Sequence, residues 1–220
     1  MNIISKLLIT HLHYDHINGI EYMIKNGWID KNTEVWMNVQ YTWKQPTWKQ
    51  PTYNRILLQL KALGVKFIDS IVGNSIEHIN ILYPDISFNN KNKAPKNNIN
   101  NASVLYKICL AGRSMLFTGD IETEGWETIP ICNLNLCGLT YYCISHHGSI
   151  TGHLSDRSLS GATIADCADF TEMQVLMGRD RAYKGGFSNM VILDFHNIVK
   201  TEDAHHYIEV EWKSGKYTER

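Results

Sequence analysis

Short apolar runs alternate along this chain with segments whose apolar residues recur at helical spacing. Runs rich in Ile, Leu, Val and aromatic residues, bounded by glycine, proline or polar residues, are typical of buried strands. Such strands are predicted at residues 3–10, 34–38, 78–84, 139–145, 173–178 and 205–212, and a β-hairpin with Gly112 in its turn at 103–120. Helical spacing predicts helices over 17–27 and 54–64, and the acidic residues that open 121–129 suit a helix N-terminus.

Polar residues with ligand chemistry stand at the ends of several of these strands. This alternation of strands and helices predicts an α/β fold with a functional site on loops at the sheet edges. The chain has 220 residues, so we expect one domain over 1–220. Two segments interrupt the pattern. A tandem repeat with two prolines occupies 42–53, and an Asn/Lys-rich segment, which we expect to be a loop, occupies 89–101.

Composition narrows the class of protein only slightly. The formal net charge is −1, which excludes a general electrostatic attraction for polyanions. No apolar run is long enough for a membrane span, and the N-terminus does not read as a secretory signal. The five cysteines are an odd number without a C-x-x-C pair, which favours reduced thiols in a cytoplasmic protein. Cys143 stands three residues before His146 and could be a metal ligand, but a buried strand residue is the better interpretation.

The segment LITHLHYDHINGI places three histidines and an aspartate within six positions, directly after the first strand. His11 and His13 are two residues apart, so they share one face of an extended chain. A tight turn through Tyr14 and Asp15 could then bring Asp15 and His16 to a neighbouring point. Imidazole and carboxylate groups suit zinc, manganese or iron. Four such groups so close together predict two metal sites.

This H-x-H-x-D-H motif after an apolar strand resembles the signature of the metallo-β-lactamase superfamily. Two later segments, NNASVLYKICLAGRSMLFTGDIETE and YYCISHHGS, resemble the hydrolase domain of the DNA-uptake competence protein ComEC and its soluble relatives. The segments YKGGF and IVKTEDAHHYIEVEW are similar to the final loop and hairpin of that group. The resemblance implies an αββα sandwich and a dimetal hydrolase.

By this resemblance, His11 and His13 would hold the first ion, and Asp15 and His16 the second. Asp120 would bridge the two ions. His146 would complete the second site, with His147 close by as a pocket residue or alternative ligand. Neighbours on a strand point to opposite faces, so which of the two histidines is the ligand stays open. Asp15, Asp120 and His147 are the candidate catalytic residues. Many members of the superfamily have a further histidine where this chain has Asn101 and Ser103, which implies a weakly held first ion.

Two divalent ions, zinc by preference, would lower the pKa of a shared water and neutralise charge on phosphoryl oxygens. Phosphodiester cleavage is therefore the expected activity. Alternatives are hydrolysis of a small ester or lactone, and a non-catalytic metal-binding fragment that acts through assembly. The repeat at 42–53 interleaves tryptophan and lysine, a pattern compatible with stacking on single-stranded DNA, although a surface insertion is the simpler interpretation.

The early position of the motif leads to a further expectation. Members of the superfamily build several strands before H-x-H-x-D-H, whereas here one strand precedes it. We therefore expect an αββα sandwich that lacks N-terminal strands, and three explanations are open: a misplaced start or fragment, an exposed sheet edge covered by a partner or a second copy of the chain, or a reduced fold. Gly186 and Phe187 stand where the family often carries a histidine.

Overall fold

The computed structural model describes residues 3–39, 51–91, 98–110, 112–129, 139–143 and 145–152, and the backbone of four later strands. The helices in this part of the chain are α1 (Tyr14–Lys25), α2 (Pro51–Ala62), α3 (Ile86–Lys91) and α4 (Thr123–Trp126). The strands are β1 (Lys6–Leu8), β2 (Glu34–Met37), β3 (Lys66–Asp69), β4 (Ser75–Ile76), β5 (Ile79–Tyr83), β6 (Leu105–Leu110), β7 (Arg113–Phe117), β8 (Tyr141–Cys143), β9 (Gln174–Met177), β10 (Ile198–Lys200), β11 (Ile208–Glu211) and β12 (Lys216–Glu219). Short 3₁₀ helices form at Asn100–Ala102, Ser145–Gly148 and Ile150–Gly152.

These strands form two main sheets. The first sheet has the order β1-β2-β3 and is parallel throughout. The second has the order β10-β9-β8-β7-β6-β5-β4. Its part from β4 to β7 is antiparallel, whereas β7 to β10 are parallel. The β7 and β8 strands therefore end at the same edge, and β11 and β12 form a separate antiparallel pair.

Alternate side chains of β2 pack against two different layers of the fold. Val35 and Met37 belong to the core cluster that also contains buried residues of α1 and α2. Trp36, which points to the opposite face, packs with Val104 and Tyr106 of the second sheet region. The order of layers is thus helices, first sheet, second sheet. The buried hydroxyl of Tyr106 lies 2.9 Å from Oγ of Ser70 and 3.1 Å from the carbonyl oxygen of Trp36, which ties the sheets together.

The predicted mixed α/β fold is confirmed, as is the hairpin, in which Leu110 pairs with Arg113 and Gly112 has φ +76°. The predicted strands at 139–145 and 173–178 contain β8 and β9, and the helix over 17–27 ends at Asn26 and Gly27 as expected. Within the described residues, no helix combines the length and apolar character needed to cross a bilayer.

Several boundaries differ from the prediction. Helix α1 begins at Tyr14, inside the histidine motif, so Asp15 and His16 lie in its first turn and not in a tight turn of extended chain. Helix α2 begins at Pro51, since proline is tolerated at the first helical position, and residues 42–50 of the repeat lie outside the described part. The expected loop at 89–101 is wrong at both ends, since α3 reaches Lys91 and the 3₁₀ helix at Asn100–Ala102 is buried.

Candidate metal centre

Three strand ends meet at this site. The chain leaves β1 and continues to pair with β2, since Ile9 donates its N–H to the Trp36 carbonyl at 2.9 Å, before it reaches His11. Val104 donates its N–H to the Thr10 carbonyl at 2.8 Å, which joins the loop after β1 to the segment before β6. Because β7 and β8 are parallel, the loops that carry Asp120 and His147 lie side by side. The ligand candidates therefore converge where the edges of the two sheets meet.

Their side chains form two groups with a shared member. One group contains His11, His13 and Asp120, and the other contains Asp15, His16, Asp120 and His147. In each group, one ligand atom per residue lies within 4.8 Å of every other. The ring centroid of His11 lies 4.8 Å from that of His13 and 4.2 Å from that of His16. The two groups are thus in direct contact.

Asp120 faces both groups with different oxygen atoms. Its Oδ2 lies 3.5 Å from Nε2 of His11. Its Oδ1 lies 3.1 Å from Nε2 of His16 and 3.6 Å from Nε2 of His147. The carboxylate is almost fully buried, with 4% of its side chain exposed. A single buried carboxylate therefore points one oxygen at each group, as a bridging ligand does.

Burial and the charges of neighbouring side chains shift the pKa values of the site residues in opposite directions. Burial lowers the pKa of His11 to about 4 and also lowers the pKa of His13. Burial acts in the same direction on His16, but the contact with Asp120 and the charges of Asp120 and Asp15 outweigh it and raise the pKa of His16. Burial alone would raise the pKa of Asp120, yet His11 and His16 hold it well below its usual range. The carboxylate is consequently ionised, and His11 is neutral, at physiological pH.

The donor set fits divalent metal ions. Nε2 of His11 and Oδ1 of Asp120 are buried, and neither makes a hydrogen bond of good geometry in the described part of the chain, although Nε2 of His16 lies 3.1 Å from Oδ1 of Asp120. Such orphaned polar atoms are costly unless another group satisfies them. Ligand atoms around a tetrahedral zinc ion, with bonds of about 2.0–2.1 Å, lie about 3.3 Å apart. Nε2 of His147 lies 3.3 Å from both Oδ2 of Asp15 and Nε2 of His16, which matches that spacing.

The adjacent histidines have different surroundings. The structure brings His147 into the second group, where His146 was expected. Nδ1 of His146 lies 3.4 Å from Oε1 of Glu122 and 3.0 Å from Oγ1 of Thr151. Both histidines have left-handed backbone, with φ +50° for His146 and +53° for His147, and so do not alternate as strand neighbours would. The strand had already ended at Cys143, whose thiol belongs to neither group and has a pKa raised by burial.

The turn formed by Thr118, Gly119 and Asp120 (T-G-D) packs against the loop after β1. Gly119 has φ +56°, and a Cβ built on it would lie 2.8 Å from both Oγ of Ser103 and Cβ of Thr10. Ser103 accepts a hydrogen bond from the Asp120 N–H at 3.0 Å. Ser103 thus helps to orient the buried Asp120 through its backbone. Only glycine combines this conformation with so close an approach.

Sequence reasoning missed a set of polar residues behind the site. Asn100 donates from Nδ2 to Oε1 of Glu122 at 2.8 Å, and Asn98 donates to the other oxygen of the same carboxylate. Asn101 accepts the Glu122 N–H at 2.8 Å. The asparagine-rich composition pointed to a loop and concealed these contacts. A usable signal was Glu122 itself, two residues after the T-G-D aspartate.

The remaining histidines are peripheral or lie outside the described part. His78 is exposed and lies 3.3 Å from Glu77, in agreement with a surface role. The structure does not describe His153, His196, His205, His206 or the YKGGF segment. The cysteines it describes, Cys109 and Cys143, are free thiols.

These features define a mixed α/β protein with a histidine–aspartate cluster that could hold metal. No family model matches the chain, and no curated protein matches it. Among solved structures, it is similar to a crystal structure of the hydrolase AbOPH in the beta lactamase superfamily, with 21% identity and a TM-score of 0.28. That match covers 53% of this chain and 40% of the other. A likeness of this size says nothing about activity, which has to be inferred from the site.

Proposed function

We propose that this chain is a dimetal-dependent hydrolase of the metallo-β-lactamase type that cleaves phosphodiester bonds. The observation that carries the proposal is the arrangement of Asp120, whose two carboxylate oxygens face two separate groups of histidines. A structural salt bridge would need only one such group. A shared carboxylate between two imidazole-rich groups is the arrangement expected of a dinuclear centre.

In this proposal His11, His13 and Asp120 hold the first ion, and the second is held by Asp15, His16, Asp120 and His147. His147 thus takes the role first expected of His146. When bound, the two ions would supply Lewis acidity that lowers the pKa of water and neutralises charge on phosphoryl oxygens. Imidazole and carboxylate ligands favour zinc, with manganese and iron as alternatives.

The exposure of the side chains gives the direction of substrate entry. Asp15 and His147 have 39% and 34% of their side chains exposed, whereas His11 has 1%. Substrate therefore reaches the site from the side of Asp15 and His147. Asp15 would position the attacking water and accept its proton on the carboxylate oxygen that is not used as a ligand, and His147 would line the pocket beside it. The buried Asp120 would remain ionised and fix the separation of the two groups.

A phosphodiester suits this site because it carries negative charge on oxygens that a cationic centre stabilises. The resemblance to ComEC-type hydrolase domains favours the same substrate class, with single-stranded DNA as one candidate. A small ester or lactone would need the same attacking water but gains less from two adjacent positive charges. We therefore rank these substrates second.

The test combines metal analysis with a substrate panel. Purified protein loaded with Zn²⁺ or Mn²⁺ would be analysed by elemental mass spectrometry and assayed on bis(p-nitrophenyl) phosphate, single-stranded DNA, a p-nitrophenyl ester and a lactone. We expect two ions per chain, and fastest turnover of the diester. Asp120→Ala should lose both metal and activity, by about a hundredfold or more if several kcal/mol of stabilisation disappear. Glu124→Gln, a change at an exposed carboxylate in the next helix, is the matched control.

Two results would overturn the proposal. Full diester hydrolysis by Asp120→Ala would show that the cluster is not the active centre. Stable binding of two ions with no turnover of any substrate in the panel would instead indicate a non-catalytic metal-binding protein.

A further inference from the structure

We propose that Glu122 is a positioning residue that sets the orientation of His147 through His146. This inference rests on the proposed function only in taking His147 as a metal ligand. Glu122 lies in neither ligand group and has 20% of its side chain exposed. It is therefore placed behind the ligands, where it can act on them only through its neighbours.

The carboxylate of Glu122 contacts side chains from two separate segments. Asn98 and Asn100, which precede β6, donate to its two oxygens. His146, which follows β8, places Nδ1 3.4 Å from Oε1 of the same carboxylate. The backbone of Glu122 is fixed as well, because its N–H donates to Oδ1 of Asn101 at 2.8 Å. One acidic side chain thus links the segment before β6 to residues 145–152, which contain His146 and His147 and are called the histidine loop below.

The histidine loop needs such a link. His146 and His147 are consecutive non-glycine residues in the left-handed region, a conformation that persists only where the surroundings impose it. The backbone contributes in part, since the His146 N–H donates to the Gly119 carbonyl at 3.1 Å and the Ser149 N–H to the His146 carbonyl at 2.8 Å. Thr151, whose Oγ1 lies 3.0 Å from Nδ1 of His146, and Glu122 hold the side chain.

The neighbouring His147 depends on this conformation. Its Nε2 lies 3.3 Å from Oδ2 of Asp15 and 3.6 Å from Oδ1 of Asp120. The two histidine rings meet only edge to face, with centroids 6.5 Å apart, so His146 acts on His147 mainly through the shared backbone. Release of His146 from Glu122 would therefore misplace His147, while His11 and His13, on the loop after β1, would keep their positions.

The test is the variant Glu122→Gln, compared with Glu124→Gln. Glutamine offers one acceptor oxygen and one amide donor, so it cannot accept from both asparagines on two oxygens and has no negative charge to place beside His146. In metal-free protein, hydrogen–deuterium exchange should be at least about tenfold faster over residues 145–152 in Glu122→Gln and unchanged in Glu124→Gln. Calorimetric titration with Zn²⁺ should show about a 10–100-fold weaker second ion and an unchanged first ion, the size expected when a ligand loses its support.

A rescue variant separates positioning from general damage to the fold. In the double variant Glu122→Gln/Asn100→Asp, the carboxylate and amide exchange places, so an amide-to-carboxylate hydrogen bond can form again. We expect partial recovery of both exchange protection and the affinity for the second ion. Unchanged exchange and unchanged Zn²⁺ affinity in Glu122→Gln would overturn the inference. Equal weakening of both ions would also overturn it, because it would indicate a loss of structure throughout the site.

The two proposals fail in different ways. If the wild-type chain binds no Zn²⁺, the proposed function is wrong, and the exchange measurement on metal-free protein still decides whether Glu122 holds the histidine loop. If the wild type binds two ions and Glu122→Gln behaves like the wild type in both measurements, only the positioning role is wrong.

Discussion

Nε2 of His11 lies 3.5 Å from Oδ2 of Asp120, and both side chains are almost fully buried. The two residues follow β1 and β7, which belong to different sheets. The site therefore depends on how the sheets pack, and its most buried contact is made by groups that would be unfavourable there without a further partner. A divalent ion between them would satisfy His11 Nε2 and neutralise the carboxylate together.

The roles of the adjacent histidines can be distinguished by identical substitutions. Asparagine tolerates the left-handed backbone of both positions, so His147→Asn and His146→Asn should fold alike. We expect His147→Asn to keep one tightly bound ion and to lose about a hundredfold or more in affinity for the second. His146→Asn should still bind two ions at saturation, with only the second weakened by about 10–100-fold. Zn²⁺ titration calorimetry measures both constants.

His78→Asn is the matched control for this pair, because His78 is exposed and also has positive φ, at +67°. It should bind both ions as the wild type does. If instead His146→Asn loses the second ion and His147→Asn retains it, His146 is the ligand, as the resemblance to the family first implied.

Removal of metal should destabilise the protein. An ion that binds only the folded state adds RT ln(1 + [L]/Kd), or about 2.7 kcal/mol at a concentration of 100 Kd. For a chain of this size, about 1 kcal/mol corresponds to a shift in Tm of about 2–4 °C, so EDTA should lower Tm by at least about 5 °C. Differential scanning fluorimetry measures the shift. In Asp120→Asn, an isosteric change, the same EDTA treatment should leave Tm unaltered, and an equal shift there would place the bound metal elsewhere.

The two groups should differ in their response to pH. Only a neutral imidazole binds an ion, so a proton on histidine competes with metal. The pKa of His16 is raised above 6.5, and its protonation therefore weakens the second group as pH falls through and below neutrality. The pKa of His11 is about 4, so protonation of His11 does not affect the first group until much lower pH. As the pH is lowered from about 7.5 to about 5.5, the range in which histidine titrates, the affinity for the second ion should fall more steeply.

Calorimetry in two buffers of different ionisation enthalpy reports the protons released with each ion. Binding to the second group should release more protons than binding to the first near neutral pH. Equal release and equal pH slopes would contradict the opposite pKa directions of His11 and His16.

The meeting of His11, His13, Asp15, His16 and Asp120 was expected from the resemblance to a known family. The strand pattern gives it a physical reason, because the histidine motif and Asp120 both come after short apolar strands, and strands buried in a common core deliver their ends to a common edge. The pattern of apolar residues was enough to place those strands.

The features that were missed depend on backbone conformation and on contacts across the fold. Positive φ at His146 and His147 cannot be inferred from residue type, since most histidines have negative φ, and the exchange of their expected positions follows from it. The roles of Asn98 and Asn100 were hidden because their partner, Glu122, lies after the following hairpin. Asparagine-rich composition is informative only for segments that find no partner elsewhere in the fold.

Gly119 offers a test of the close approach between the T-G-D turn and the loop after β1. Alanine at this position would have φ +56° and a Cβ 2.8 Å from both Thr10 Cβ and Ser103 Oγ. Gly112, in the hairpin turn, has φ +76° and open space within 4 Å of the Cβ that alanine would add, so Gly112→Ala incurs only the conformational penalty of about 1–2 kcal/mol. Gly119→Ala adds displacement of the Thr10 side chain at its Cβ and of Ser103, which accepts a hydrogen bond from the Asp120 N–H. We therefore expect a loss of about 3 kcal/mol or more in the free energy of unfolding of metal-free protein, measured by urea denaturation.

The variant Gly119→Ala should also bind both ions more weakly, because Asp120 serves both groups, whereas Gly112→Ala should bind them normally. Similar losses of stability in the two variants would show that the turn can move away from Thr10 at little cost, and that the position of Asp120 does not depend on this contact.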